Sequence, residues 1–406
     1  MQMPKIFLKF YSDYRLFLLY ANRRLCYKPK IRDFISKTGR CMLNYREIAA
    51  ALLIFVSSAR AAEPVWQPEK TWVFAVGVLN FDTKGLATWP DAGRVDAEMI
   101  DAFKKRGVRE ERIVFLKNAD ATKANIEAKF ADLLGKTAPG ETLVFYYAGH
   151  GGRDYNDAAR PVSLVTYDTK STWLVSEVLE TIEKHFKGSN AFLFADCCHS
   201  GALAAEALKR GQKINYLVLT SAQASSRSTG NWTFTRCLVD MLTGNQALDI
   251  NGDGKITLAE AARFCEDEMA FFESQLSCSA VKGHMGADIV MSLTKGVKHA
   301  RVGDHCEGLD KNQWWKLKIL DSKENSQFFV TWVGFEKKFD CWLGLERLRP
   351  YTPPTIPGGT ACEVEWDNTW YAAKVVRSKL GLQLVHYDGY PDADDEWVPM
   401  NRIRVK

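Results

Sequence analysis

The sequence predicts an α/β fold, a mainly parallel sheet flanked by helices, followed by two small β-barrels. Three observations carry this expectation. From Trp72 to about Gly296, strand-like apolar runs alternate with segments of helical period. Several of these runs are apolar throughout, as strands covered on both faces are. After about Ala300 the texture changes to short aromatic-rich strands with hardly any helical period, and this tail repeats itself.

The elements follow in order. Trp72-Val-Phe-Ala-Val-Gly-Val reads as a buried strand, Asp91 to Lys105 as a helix and Arg112-Ile-Val-Phe-Leu as a second strand. Thr122 to Leu134 is a helix with Ile126, Phe130 and Leu133 on its apolar side, and Thr142-Leu-Val-Phe-Tyr-Tyr-Ala is the third strand. Val175, Leu179, Ile182 and Phe186 share one helical face. Ala191-Phe-Leu-Phe-Ala and Tyr216-Leu-Val-Leu-Thr supply two more strands. In the tail, Val330-Thr-Trp-Val-Gly-Phe returns as Val385-His-Tyr-Asp-Gly-Tyr, Asp340-Cys-Trp as Asp395-Glu-Trp, and Arg347-Leu-Arg as Arg402-Ile-Arg. Trp314-Trp315 matches Trp370-Tyr371, and a stiff Pro- and Gly-containing stretch from Tyr351 joins the copies.

The totals exclude several classes. At 406 residues, 46% hydrophobic and 25% charged, the chain has the composition of a globular protein and room for two or three domains. A net charge of +5 without a dense Lys/Arg stripe gives no ground to expect nucleic acid as a partner. No apolar run reaches the ~18 residues of a membrane span. The best run, Ile48 to Val56, is followed by Ala59-Arg60-Ala61, the layout of a signal peptide cleaved after Ala61. Its distance from residue 1 is explained if Met42 is the true start. The alternative is a buried helix opening the domain. Export predicts a secreted or periplasmic protein with no integral span after cleavage. It also leaves eight cysteines, of which Cys265, Cys278, Cys306, Cys341 and Cys362 could form disulfides or pack as small hydrophobes.

Two strands end in reactive residues. The third runs into Tyr147-Ala-Gly-His150-Gly-Gly, and the next into Ala195-Asp-Cys-Cys198-His-Ser-Gly. In a parallel sheet the carboxyl ends of neighbouring strands form the ligand crevice, so His150 and Cys198 can meet there. A cysteine ahead of the helix opening at Gly201 would have its thiolate stabilised by free N–H groups. His150 would act as general base to the thiol and acid to the leaving amine, with the N–H groups of Gly151 and Cys198 as oxyanion donors. The bland reading is an inert core thiol and a turn histidine.

These two motifs resemble the signature pair of caspase-like peptidases, and Asp-x-Cys-His-Ser-Gly is the metacaspase form. The resemblance covers about residues 70–296. It implies a caspase-like fold, His150 as base, Cys198 as nucleophile and a polypeptide substrate. It also implies that Asp196, with Asp168 as a second acid, lines the pocket for the side chain before the scissile bond. The usual Pro-x-Asp is absent around Asp168. Acidic walls would favour Arg or Lys; caspases proper use arginines to select aspartate, a role open to Arg153 or Arg227. Asp196 could equally cap the helix after it. Cys197 falls at the variable position and receives no catalytic role.

Asp249-Ile-Asn-Gly-Asp-Gly-Lys-Ile-Thr-Leu-Ala-Glu260 meets the EF-hand loop pattern at every defined position. Calcium would take oxygens from Asp249, Asn251, Asp253, the Lys255 carbonyl, Thr257 and bidentate Glu260. A metal-free Asn-Gly-Asp-Gly turn is the alternative. The tail repeats resemble Tudor or chromo-barrel modules of the SH3-like kind. That implies aromatic cages for a protein or modified-peptide ligand, with candidates Trp370, Tyr387, Tyr390 and Trp397, and Trp315, Trp332, Phe335 and Trp342 in the first copy. Core packing is the competing role for most of them.

The expected organisation is a targeting region over 1–61, a caspase-like peptidase domain over 62–299 and an SH3-like barrel over 300–350. A linker over 351–358 and a second barrel over 359–406 complete it. The expected activity is cysteine endopeptidase, after Arg or Lys and calcium-influenced. The rival is an inactive caspase-fold scaffold that recognises partners through its aromatic tail.

Overall fold

The computed structural model describes residues 64–157, 159–169, 172–294, 301–324 and 326–405; the expected targeting segment lies outside them. Among the described residues no helix is long and apolar enough to cross a membrane. The chain runs β1 (Thr71–Gly77), α1 (Val95–Arg106), β2 (Ile113–Lys117), α2 (Lys123–Gly135) and β3 (Thr142–Ala148). Three short strands follow, β4 (Gly151–Arg153), β5 (Val162–Val165) and β6 (Thr172–Leu174). Then come α3 (Val175–His185), β7 (Asn190–Asp196), α4 (Ala202–Lys209), β8 (Asn215–Thr220) and α5 (Thr233–Thr243). The segment closes with β9 (Lys255–Thr257), α6 (Leu258–Glu273), β10 (Cys278–Lys282) and β11 (Val290–Leu293).

The central sheet has the order β10-β8-β7-β3-β1-β2. It is parallel except for β10, which pairs antiparallel with β8 and was not foreseen from the sequence. Every residue of β1 and β3 is buried. The reason is the two helical layers: Val73, Ala75, Val144 and Tyr146 pack against α1, α5 and α6, while Phe74, Val76, Phe145 and Tyr147 pack against α2, α3 and α4. Alternate side chains of one strand thus enter opposite cores, which is why its sequence shows no polar alternation. The strand order reverses direction between β1 and β3, so the crevice at their carboxyl ends is open to a ligand.

Local chemistry sets the helix limits. α1 starts at Val95 rather than Asp91, because Gly93 takes a left-handed φ of 75° and the Asp91 carboxylate is engaged by Arg94 and Asn118. Gly107, at φ 106°, ends it. Thr122 caps α2 by accepting from Asn125 N. α6 ends at Ser274, in the left-handed region, with a Thr257–Glu260 capping box at its start.

The tail forms two five-stranded antiparallel sheets. The first comprises β12 (His305–Asp310), β13 (Gln313–Lys323), β14 (Gln327–Trp332), β15 (Cys341–Gly344) and β16 (Leu348–Pro350). The second comprises β17 (Ala361–Trp366), β18 (Thr369–Lys379), β19 (Leu382–Tyr387), β20 (Glu396–Pro399) and β21 (Ile403–Val405). Their orders, β15-β14-β13-β12-β16 and β20-β19-β18-β17-β21, are identical by position. Among the described residues no strand pairing closes the expected barrels: β15 and β16, like β20 and β21, stand at the sheet edges. The repeat offset changes by one residue at the second hairpin, whose turn is one residue shorter between β18 and β19 than between β13 and β14. Each sheet encloses its own small core, around Leu317 and Val330 in one and Val364 and Val385 in the other.

α6 joins the parts. Its buried Glu268 accepts from His305 Nε2 at 2.7 Å and from Lys318 Nζ at 2.7 Å, both in the first tail sheet. Burial pushes the Glu268 pKa up, but the bond from His305 and the charge of Lys318 more than offset this and hold it below the usual carboxylate range. Phe271 stacks on His305 at 4.0 Å. The eight described cysteines are free thiols, so none of the disulfides considered above is present among them.

Phe130 of α2 has no solvent exposure and packs on Phe74 at 4.5 Å and Phe145 at 5.7 Å. Phe130→Ala should cost about 3–5 kcal/mol, read as a lower urea midpoint at unchanged slope.

Candidate functional site

The site is built by strand register. All seven β3–β7 pairs, from Thr142↔Asn190 to Ala148↔Asp196, join residues 48 apart. His150 and Cys198 are also 48 apart, each two residues beyond the last pair. Parallel neighbours lie about 4.8 Å apart, so the two residues leave the sheet side by side. The pairing continues past the strands: Gly149 N donates to Asp196 O at 3.3 Å. Gly151 then lies so close that a Cβ on it would stand 1.9 Å from the Cys198 carbonyl oxygen. Any side chain there would drive the two turns apart.

His150 is held from three directions. Its Nε2 is 2.8 Å from Ala87 O, and a carbonyl can only accept, so this nitrogen carries the proton and the lone pair is left on Nδ1. Phe81 and Trp89 contact the ring at 5.3 and 4.7 Å between centroids. Tyr147 Oη donates to the His150 carbonyl at 2.8 Å. The loop that brings Ala87 and Trp89 is anchored by buried Arg94, which donates to Gly77 O and pairs with Asp96 and Asp91. Asn118 adds a bond from Leu79 N. Reading the sequence missed this anchor, although Arg94 between Asp91 and Asp96 was a visible signal.

Cys198 is partly exposed. Its Sγ accepts from Ser228 N at 3.2 Å, a backbone donor that would also stabilise a thiolate. The helix that follows begins at Ala202 with Gly201 as its N-cap, within one residue of the expected start. His199 is buried, takes φ 58°, and places Nδ1 3.0 Å from Ala224 O. Burial pushes its pKa down and favours the neutral ring. Cys197 is buried under the same turn, with a thiol pKa pushed well up by burial.

Asp196 lies on the floor of a small cavity of about 30 Å3 walled by Trp89, Gly149, Gly230 and Trp232. Its carboxylate accepts from Thr235 Oγ1 at 2.6 Å. Burial pushes its pKa up to about 6. Asp168 is elsewhere. Its Oδ1 accepts from Lys123 N at 3.1 Å and from Thr166 Oγ1 at 2.6 Å, so it holds the N-terminus of α2 and does not line this cavity. Arg153 and Arg227 also fall outside the cavity lining.

In the loop over 249–260, Asp249 accepts from the N–H groups of Gly252, Asp253 and Gly254. Gly252 and Gly254 have left-handed φ of 77° and 84°, which the sharp turn needs. Glu260 Oε1 accepts from Ile250 and Asn251 N, and Oε2 from Thr257. Asp253 accepts from Lys255 N. The oxygen-rich donor set suits a hard cation, while Glu260 is turned to backbone donors.

In the tail, two of the four expected residues, Tyr387 and Tyr390, cluster, with Tyr371 in place of Trp370 and Trp397. Trp370 is covered by Arg404 at 3.6 Å from its ring centre, as Trp314 is by Arg349 at 4.2 Å in the first copy. Trp397 packs with Leu382 and under Arg377. Tyr371 stands one residue from Trp370, and strand alternation sends the two to opposite faces. In the first copy Trp315 meets Phe335 at 5.4 Å, Trp332 is buried and Trp342 lies on Phe329.

Because the Asp196 pKa is raised on folding, its contribution to stability is present below about pH 4 and is lost as pH rises through about 6. Asp196→Asn should therefore gain on the order of 2–3 kcal/mol over the parent at pH 8 and nothing at pH 4. Urea unfolding at the two pH values reads the difference.

Residues 95–205 match the family described as metacaspase, peptidase C14 domain. No curated protein matches the chain. Among solved structures, protein GSU0716 from Geobacter sulfurreducens is 17% identical, covering 55% of this chain and 99% of that one with a TM-score of 0.39. Caspase-1 from Spodoptera frugiperda is 12% identical over 60% and 97%, TM-score 0.38. AGDP1 from Arabidopsis thaliana is 14% identical over 26% and 80%, TM-score 0.13. The matched stretch runs from α1 into α4 and contains both His150 and Cys198, so the chain carries a domain similar to the metacaspase, peptidase C14 domain.

Proposed function

We propose that the protein is a cysteine endopeptidase in which Cys198 is the nucleophile and His150 its base. The observation that carries this reading is the shared offset of 48 between the β3–β7 pairing and the two residues. The thiol proton passes to His150 Nδ1 as Sγ attacks the scissile carbonyl, and returns to the leaving amine as the C–N bond breaks. The N–H groups of Cys198 and Gly151 serve as donors to the developing oxyanion. Water then releases the acyl group from sulfur, with His150 again as base. Ala87 O keeps the ring in the required tautomer throughout.

The side chain before the scissile bond enters the cavity over Asp196, and we assign it as Arg or Lys. A cation there would add a counter-charge to a buried carboxylate that now holds only neutral hydrogen-bond partners such as Thr235. The small volume in this structure means that Trp89 or the loop around Gly230 shifts on binding. The competing scaffold reading draws support from the aromatic tail, whose cluster suits a protein or modified-peptide ligand. It gives no reason for a tautomer-fixed histidine beside a partly exposed thiol. Calcium is taken by the loop over 249–260 through Asp249, Asn251, Asp253, the Lys255 carbonyl, Thr257 and Glu260, with a stabilising role at the start of α6. The segment before Ala61 directs export.

The parent chain should cleave fluorogenic peptides ending in Arg or Lys, with Cys198→Ala reduced by at least ~10³-fold. Asp196→Asn should lower kcat/KM for Arg-ending peptides by about 10–100-fold. For the parent the same parameter should rise with pH through about 6 as Asp196 ionises. Equal cleavage by parent and Cys198→Ala would refute the assignment.

Millimolar calcium should raise the Tm of the full chain, and Glu260→Gln should abolish the shift. A ligand at 100 times its Kd adds about 2.7 kcal/mol. Magnesium giving the same shift in both proteins would count against the site.

A further inference from the structure

The second tail sheet meets the peptidase domain close to the nucleophile. Arg160 forms a bidentate ion pair with Asp394, and Arg227 lies over the Trp366 ring at 5.0 Å. Between them is a cavity of about 310 Å3. Its tail wall carries Tyr371, Tyr387 and Tyr390 with Asp394 and Glu396; its peptidase wall carries Arg153 and Tyr155. Ser225, also in the lining, belongs to the loop whose Ser228 N–H holds Cys198 Sγ. The Tyr155 ring is 6.3 Å from that of His199, the residue after the nucleophile.

The three tail tyrosines stand 6.2–6.3 Å apart between centroids, with interplanar angles of 71–88°. They form the corner of a box. A cation seated in such a corner lies within ~6 Å of all three ring centres. Glu396 is buried, and it fixes Tyr387 Oη at 2.9 Å. The two carboxylates already serve Arg160 and Arg402, so they orient the wall and balance its charge, and the ring faces supply the attraction. The opposite wall offers the complementary group. Arg153 lines this wall with its guanidinium over the Tyr155 ring at 5.6 Å. A guanidinium has donors only, so the group of a peptide that it suits is a backbone carbonyl. Arg153 would repel a bare cation on its own side, which leaves the tyrosine corner for the side chain.

The first copy serves as an internal control. Trp315, Trp332 and Phe335 take the tyrosine positions there, but Phe339 and Cys341 replace Asp394 and Glu396. The acidic wall belongs to the copy that faces the nucleophile.

We propose that this cavity is a substrate subsite built jointly by the tail and the peptidase domain. It takes a Lys, methylated Lys or Arg side chain of the polypeptide being cut, away from the scissile bond, with a carbonyl of that chain on Arg153. The proposal rests on the peptidase reading above. Two measurements test it separately from that reading.

Binding is read by calorimetry on the full chain carrying Cys198→Ala, which does not depend on turnover. The probes are blocked Gly/Ser decapeptides with one central Lys, trimethyl-Lys, Arg or Gln. The cationic peptides should bind ~10-fold or more tighter than the Gln peptide. Tyr390→Ala should weaken them by about 5–30-fold, while Tyr390→Phe retains them. Tyr390 is 49% exposed, so the fold tolerates the change. Equal binding of Lys and Gln peptides, or no effect of Tyr390→Ala, overturns the cavity assignment. The order among Lys, trimethyl-Lys and Arg tells which cation it takes.

Cleavage is read with long peptides cut at one Arg, with Lys or Gln placed at successive positions on either side. At one position Lys should raise kcat/KM over Gln in the parent, and Tyr390→Ala should bring that ratio to about one. Tyr390→Phe should keep it. A ratio of one at every position in the parent overturns the substrate role even if the decapeptides bind. No cleavage by the parent of any peptide instead removes the peptidase reading, and the subsite with it.

Discussion

The alignment of β3 with β7 is the constraint on which the rest of this structure depends. Seven consecutive pairs at one offset make a rigid ruler, and the two reactive side chains are placed where that ruler ends. A parallel ladder cannot slip by a single residue without turning every side chain to the opposite layer. Here both layers are full: Phe145 and Leu193 face one set of helices, Val144 and Phe192 the other. The packing of large apolar side chains far from the crevice therefore fixes where an imidazole and a thiol stand. Gly151 extends the constraint past the ladder, because the next turn has no room for a Cβ against the Cys198 carbonyl.

Much of this was legible in the residues. β1, β3, β7 and β8 are uninterrupted apolar runs of strand length, and α2 and α3 show one apolar face each. The parallel character of the sheet followed from alternating strands and helices, and two Gly-rich turns after strand ends indicated a common crevice. What was not legible came from interactions between distant segments. β10 reads as an ordinary polar stretch, yet it completes the sheet because Thr220 to Tyr216 offers an unpaired edge. Ala87, which fixes the histidine tautomer, is a small residue in a loop and carries no signal of its own; only its carbonyl matters. Asp168 looked like a pocket acid by its place in the chain, but the free N–H of Lys123 is nearer and claims it.

The tail shows how a strand's two faces mislead a reading from spacing alone. Trp370 and Tyr371 are adjacent, both aromatic and both repeated from the first copy. Arg404 covers the tryptophan on one face, and the tyrosine reaches the cavity on the other. The repeat itself supplied the check, because the same arginine-over-tryptophan contact recurs at Trp314 and Arg349. The two copies keep the same strand order while their cavity walls differ, so the chemistry varies on an unchanged architecture.

α6 has one further consequence. Its outer face is closed by the tail: Phe271 lies flat on His305, and Glu268 is surrounded by His305 and Lys318. A metacaspase-like domain severed from its tail would expose that aromatic ring and take from Glu268 its bonds to His305 and Lys318. The two halves are in this sense a single solubility unit. Loss of the tail would therefore leave apolar surface of α6 open to water.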